Sequence, residues 1–113
     1  MSERLPARLE ATALIRRVES EGGFAAVLKK GDPDRGALTL IVRSRGAFHG
    51  LLEREMGPDF TYRWALSRAG EELGSDTLRD LVAAKQRFDP DFWLIELDVA
   101  QPERFIAETT SSG

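Results

Sequence analysis

The acidic segment from Arg87 to Asp98, with the sequence RFDPDFWLIELD, holds several residues that could do chemistry. Asp89 and Asp91 are two residues apart, and carboxylate oxygens are the ligands that hard divalent cations prefer. One hypothesis is therefore a cation site where a strand begins. The alternative is structural, because an Asp-Pro-Asp sequence ends a helix and turns the chain while its side chains accept backbone N–H groups. Two carboxylates at this spacing are a weak signal, so the structural interpretation is favoured.

Glu96 shares a predicted strand face with Phe92 and Leu94, so we expect its side chain to be partly buried. Because a buried charge without a partner is costly, an arginine on another strand, Arg43 or Arg63, is the expected partner. The functional interpretation is a general acid or base with a raised pKa. The structural interpretation is an ion pair across the sheet, and it is favoured.

The segment Gly31–Gly36 follows Lys30 and has only a faint likeness to a phosphate loop. It lacks the Gly-x-x-x-x-Gly-Lys-Ser/Thr order, and no predicted helix follows it, so a hairpin turn is favoured. In a metal-dependent hydrolase or nuclease, Asp32 and Asp34 would join the acidic segment around Mg²⁺ or Mn²⁺, with Lys30 or an arginine balancing phosphate charge. The candidate catalytic residues under that hypothesis are Glu96, Asp89, Asp91, Asp32 and Arg63.

Basic residues are scattered along the chain rather than clustered. Lysine and arginine number 16 against 19 acidic residues, a net charge of −3, whereas nucleic-acid binders usually carry a basic excess or stripe. Arg16, Arg17 and Lys30 are candidate binding residues for phosphate or a partner's carboxylate, although a pair of arginines on a helix more often faces solvent. Nucleic-acid binding is the weakest hypothesis. It requires these arginines on one surface: Arg16, Arg17, Arg43, Arg45, Arg54, Arg63 and Arg68.

Residue types that are missing narrow the chemistry further. The chain has no cysteine, which excludes thiol catalysis, disulfides and cysteine-ligated zinc. His49 is the only histidine, and no serine stands in a nucleophile motif, so no catalytic triad can be argued. No cofactor and no metal site are expected. No apolar run reaches the length of a signal peptide or a membrane span, which predicts a cytoplasmic protein without membrane association.

Hydrophobic periodicity predicts the elements that must position these residues. Apolar residues at three- and four-residue spacing predict two helices, and alternating apolar residues predict five strands. Trp64 and Trp93 are expected in the core. The predicted helices are Pro6–Ser20 and Ser75–Phe88, with Leu78, Leu81, Val82, Lys85 and Phe88 on one side of the second. The predicted strands are Phe24–Lys30, Ala37–Arg43, Ala47–Met56, Phe60–Ser67 and Phe92–Val99, and Pro102–Ala107 is expected to add a short edge segment. The alternative for Leu51–Met56 is a helix.

The order α-β-β-β-β-α-β predicts an α/β or α+β fold with a mixed sheet of about five strands and two helices. The first four strands form a meander in which the first two make a hairpin, and the fifth runs parallel in direction to the fourth. Apolar residues on both faces of the fifth strand favour a helix on each side of the sheet. The chain is expected to be a single domain over 1–113, with flexible ends at 1–4 and 109–113.

Several of these motifs recur in a known family. They are Leu14-Ile15-Arg16-Arg17, Gly22 to Leu28, Lys30-Gly31-Asp32 with Gly36-Ala37, and Arg87 to Asp91 with Trp93 and Glu96. Together they make the chain resemble the bacterial family of unknown function numbered 1491, short proteins found mostly in alphaproteobacteria. The resemblance implies a compact α/β domain in a bacterial cytoplasm. It implies no activity, substrate or catalytic residue.

The balance of these observations favours a small non-catalytic binding or accessory protein over an enzyme. An exposed edge strand or the Arg16–Arg17 side of the first helix is the expected contact surface, and a homodimer through an edge strand is one arrangement to consider. The alternatives are the metal-dependent hydrolase or nuclease and, third, nucleic-acid binding.

Overall fold

The computed structural model describes residues 5–69 and 75–111, in which eight helices and strands are defined. The predicted flexible residues 1–4 lie outside these ranges. The helices are α1 (Ala7–Ser20), α2 (Ser75–Phe88) and α3 (Pro102–Ser111). The strands are β1 (Phe24–Lys29), β2 (Leu38–Ser44), β3 (Ala47–Met56), β4 (Tyr62–Ala69) and β5 (Trp93–Asp98). The predicted class, a mixed five-stranded sheet with helices, is confirmed.

The strands lie in the order β1-β5-β2-β3-β4. β5 runs parallel to β2 and antiparallel to β1, so the predicted hairpin between β1 and β2 is wrong. The predicted directions are nevertheless correct, since β1 to β4 alternate and β5 runs the same way as β4. The strand inserted between β1 and β2 is the one with apolar residues on both faces, and a central position buries both.

Two apolar clusters lie on opposite faces of the sheet. α1 and α3 cover one face, where Leu40, Trp93 and Ile95 are buried beneath Val18 and Phe105. On the other face α2 packs through its side chains Leu78 and Val82, over the cluster Ile41, Leu51, Phe92 and Leu94. The prediction of helices on both sides of the sheet is therefore confirmed.

The C-terminal segment is a third helix rather than the predicted short edge segment. α3 begins at Pro102, a residue suited to a first helical turn, and its Phe105 and Thr109 are buried against the sheet. The predicted flexible end 109–113 begins within this helix, and residues 112–113 lie outside the described ranges. The signal is the spacing of Phe105, Ile106 and Thr109, which places all three on one side of a helix.

Two phenylalanines at the ends of predicted elements are exposed. Phe60 is predicted to begin a strand, but it lies in the turn before β4 with φ of 63° and is 81% exposed. Phe88 is the last residue of α2 and is 90% exposed, because the helix reaches the sheet through Leu78 and Val82. No helix of the described residues is long and apolar enough to cross a membrane.

Candidate functional site

The segment Gly31–Gly36 and the start of β5 lie at the same end of the sheet. The Asp32 backbone N–H donates to the carbonyl oxygen of Asp91 at 2.9 Å, and the Trp93 Nε1–H donates to the carbonyl oxygen of Asp32 at 2.7 Å. Two of the segments that carry predicted site residues are thus held together by one main-chain hydrogen bond and one hydrogen bond from the Trp93 side chain. Asp32 and Asp91 are neighbours in space although they are far apart in sequence.

The carboxylates of Asp32 and Asp89 at this end of the sheet accept hydrogen bonds that stabilise turns. Asp32 Oδ2 accepts the backbone N–H groups of Asp34 at 3.1 Å and Arg35 at 2.7 Å. Asp89 Oδ1 accepts the N–H of Asp91 at 3.3 Å. These are the hydrogen bonds that Asp side chains make when they stabilise turns.

Glu96 pairs with Arg43 across the β5–β2 boundary. Arg43 Nε donates to Glu96 Oε2 at 2.7 Å, and each side chain is about one-quarter exposed. Arg43 also donates to the carbonyl oxygen of Gly46 at 3.2 Å. Of the two expected partners of Glu96, Arg43 is therefore the one that the structure places against it.

Arg63, the other expected partner, lies on the edge strand β4. Its Nη2 is 3.1 Å from Asp59 Oδ2 in the β3–β4 turn, and both side chains are about half exposed. The Thr61 hydroxyl and backbone N–H donate to Asp59, and with Arg63 they lower the pKa of Asp59 to about 2. Arg63 thus stabilises a turn, and β2 and β3 separate its strand from Glu96.

The metal-dependent hypothesis requires several carboxylates to converge. Within residues 5–69 and 75–111, no three histidine, aspartate or glutamate side chains are grouped closely enough to hold a metal ion. Asp32, Asp89 and Asp91 lie near the start of β5, whereas Glu96 is five residues beyond Asp91, a distance of roughly 16 Å along an extended chain. The convergence that this hypothesis needs is not seen in the described part of the chain.

The candidate binding residues lie on two different elements. Arg16 is exposed on α1, and Lys30 is exposed just after β1. Arg17 is 3.7 Å from both Glu21 and Glu108, and its guanidinium lies over the Phe105 ring at 5.2 Å. Arg17 therefore joins α1 to α3.

The arginines of the nucleic-acid hypothesis lie on both faces of the sheet. Arg54 contacts Glu10 and Trp64 on the face covered by α1, while Arg43 projects from the opposite face beside Glu96. The side chain of Arg68 lies outside the described residues. The described arginines do not form one basic surface.

Strand β1 forms one edge of the sheet and pairs only with β5 in the described residues. Three of its apolar side chains are exposed: Phe24 at 65%, Val27 at 43% and Leu28 at 52%. A register shift between Val27 and Lys29 marks a bulge near its end. Lys29 turns inward there, and its ammonium donates to the carbonyl oxygens of Pro90 at 2.7 Å and Phe92 at 2.8 Å.

Sequence reasoning missed a cavity of about 360 Å³ between α2 and the sheet. Its polar groups are the ion pair between Lys85 and Glu53 at 2.7 Å and the hydroxyls of Thr39 and Ser67. Two signals were present in the sequence. Lys85 stands at the margin of the apolar stripe of α2, and Thr39 is a polar residue between Leu38 and Leu40 in β2.

A comparison with models of known protein families matches residues 5–107 to DUF1491, described as a protein of unknown function. The chain belongs to the DUF1491 family. The resemblance drawn from the sequence motifs is thereby confirmed, and the family is one for which no function is given. No curated protein matches the chain.

Solved DUF1491 structures show the same fold. A crystal structure of a DUF1491 family protein from Caulobacter crescentus CB15 is 28% identical, with a TM-score of 0.73 over 86% of this chain and 90% of that one. The solution structure of protein Atu0922 from A. tumefaciens is 32% identical, with a TM-score of 0.71 over 86% of this chain and 87% of that one. An NMR structure of a Caulobacter crescentus CB15 family member is 28% identical, with a TM-score of 0.71 over 87% and 88% of the two chains.

Proposed function

We propose that this DUF1491 protein is a non-catalytic binding protein that pairs with a second copy of itself through the open edge of β1. The observation that carries the proposal is the run Phe24–Leu28, an edge strand that exposes apolar side chains and has no charge within it. Edge strands of monomeric proteins are usually protected by charges, proline or a covering segment. A bacterial cytoplasmic setting is part of the same proposal.

Antiparallel pairing of two β1 strands fits the charges at their ends. The bulge at Leu28 limits regular pairing to Phe24–Val27. In such a pair the end of one strand meets the beginning of the other, so Lys30 of one copy approaches Glu21 of the other. Both side chains are exposed, and their charges are opposite.

The test is the oligomeric state in solution, measured by sedimentation velocity from low to high micromolar protein. We expect a dimer for the wild-type protein. Phe24→Lys should weaken dimerisation by at least about tenfold, because it places two like charges at the interface and removes apolar contact area. Since Phe24 is mostly exposed, melting of the monomer should barely change.

Leu9→Lys is the control, because Leu9 is also an exposed apolar residue but lies on α1 rather than on the β1 edge. It should leave the dimer intact. A wild-type protein that stays monomeric at the highest concentration would refute the proposal, and so would equal effects of the two lysine substitutions.

A further inference from the structure

The cavity under α2 has the character of a small-molecule site. Its floor is the sheet and its roof is the helix, and its volume of about 360 Å³ lies near the lower end of the range for ligand pockets. Most of its lining is apolar, with a few polar groups among it, as in pockets that bind ligands. The lining residues are Thr39, Leu51, Glu53, Ser67, Leu78, Leu81, Val82, Lys85, Phe92 and Leu94.

Thr39 provides an unsatisfied hydrogen-bonding group in this cavity. The residue is 3% exposed, and its hydroxyl has no hydrogen-bond partner among the described residues. A buried polar group without a partner destabilises the fold, so such groups are rare and call for an explanation. A ligand that hydrogen-bonds the hydroxyl would provide one.

The charged groups of the cavity are already matched. Lys85 and Glu53 form an ion pair at 2.7 Å, with each side chain about 29% exposed. Thr39 lies directly opposite Glu53 in the β2–β3 ladder, so these two residues are neighbours on the face of the sheet that lines the cavity. A charged ligand would either disrupt the pair or add an unpaired charge next to apolar walls, and both are unfavourable.

We propose that this cavity binds a small uncharged ligand with an apolar body and one hydroxyl-type group that hydrogen-bonds Thr39. Leu51, Leu78 and Leu94 hold the body, and the Glu53–Lys85 pair excludes charged molecules of the same size. The site is separate from the β1 edge, so ligand binding can be tested independently of dimerisation.

Three probes of equal shape test the chemistry: benzyl alcohol, its hydrocarbon isostere ethylbenzene, and benzoate. Binding is followed by amide chemical shifts of the labelled full-length protein in an NMR titration. We expect saturable shifts at Leu51, Val82 and Leu94 with benzyl alcohol. Benzoate should bind at least about tenfold more weakly, because its charge has no partner.

Thr39→Val is the decisive variant, since it replaces the hydroxyl by a methyl group of similar shape. Benzyl alcohol should bind about three- to tenfold more weakly, the usual contribution of one hydrogen bond, while ethylbenzene binds at least as well as before. The melting temperature of the empty protein should rise by about 4 °C, because an unsatisfied buried group is removed. A purely structural threonine would give no change in the ratio of the two affinities.

Leu81→Trp fills the cavity from α2 and should abolish binding of both neutral probes. Leu9→Trp, on the helix that covers the opposite face, is its control and should leave binding unchanged. The proposal is overturned if wild-type protein shows no saturable shifts at the cavity, if the shifts lie elsewhere, or if Thr39→Val leaves the preference for benzyl alcohol intact.

Discussion

At the scale of single residues, Glu96 shows how a charge can occupy a central strand. Its neighbours in the ladder are Ala26 on β1 and Ile41 on β2, so the side chain stands among apolar groups. Arg43 lies two residues after Ile41 on β2, so its side chain is on the same face of the sheet as Glu96. The two side chains form a hydrogen-bonded ion pair at 2.7 Å. The opposite charges of the pair compensate each other, so neither side chain destabilises the fold as a buried charge without a partner would.

A double-mutant cycle on Arg43 and Glu96 measures this compensation. We expect Arg43→Ala and Glu96→Ala each to lower the free energy of unfolding, with a coupling energy of about 1 kcal/mol, because the pair is only partly buried. The measurement is urea unfolding of the four proteins. Arg104 and Glu108 on α3 form an exposed control pair at 3.4 Å, for which we expect about 0.3 kcal/mol. Equal coupling energies in the two pairs would contradict the conclusion that partial burial strengthens the Arg43–Glu96 pair.

At the scale of elements, the segment Gly31–Gly36 packs directly on the start of β5. A Cβ atom on Gly31 would overlap the carbonyl oxygen of Asp91 and lie 2.6 Å from the backbone of Phe92. Glycine is required there because two main chains approach more closely than a side chain allows. The segment Gly31–Gly36 and the acidic segment both contain motifs of the family resemblance. In the structure these two segments pack directly against each other.

Gly31→Ala should lower the free energy of unfolding by about 2–3 kcal/mol, because one of the two main chains must move. Gly57→Ala is the control, since its Cβ would lie 3.1 Å from the Asp59 side chain and at an ordinary contact distance of 3.6 Å from Arg63 and Thr61. We expect a loss of less than about 1 kcal/mol for that variant. Thermal unfolding followed by circular dichroism compares them, and a Gly31→Ala protein as stable as wild type would contradict the packing argument.

At the scale of the whole molecule, the sheet is covered unequally. α1 and α3 together cover one face through a continuous cluster, whereas α2 packs on the other face through a few side chains and leaves the cavity beneath it. β5 and β2 are the central strands, with neighbours on both sides. Stability is therefore expected to be highest in the centre and lowest in α2 and the edge strands.

Native-state hydrogen exchange tests this distribution. Amides of β5 and β2 should exchange only through global unfolding, and those of α2 should exchange faster, through local opening. A neutral ligand in the cavity should slow exchange in α2 more than in β1, because it binds only the closed form. Amides in α2 that exchange as slowly as those in β5 would contradict the unequal covering.

Much of the fold could be predicted from the sequence because it depends on local patterns. Apolar residues on both faces of Trp93–Asp98 specify a strand that is buried on both sides, and the spacing of Ala7, Ala11 and Val18 specifies a helix that is buried on one side. Turn residues at Gly31–Gly36 and Asp89–Asp91 fixed where the chain changes direction. The partial burial of Glu96, and its need for an arginine, also followed from its place in that pattern.

The sequence by itself therefore determined the type of every described element except α3, together with the strand directions, the family and the residues that turn the chain. Element types and turns follow from residues that are neighbours along the chain. Only the tertiary structure decided which strands are adjacent, that Arg43 rather than Arg63 meets Glu96, and that Thr39, Glu53 and Lys85 line one cavity. Those outcomes depend on the pairing of strands that are far apart in the sequence. β5 lies between β1 and β2 because its apolar residues are buried on both faces of the sheet at that position.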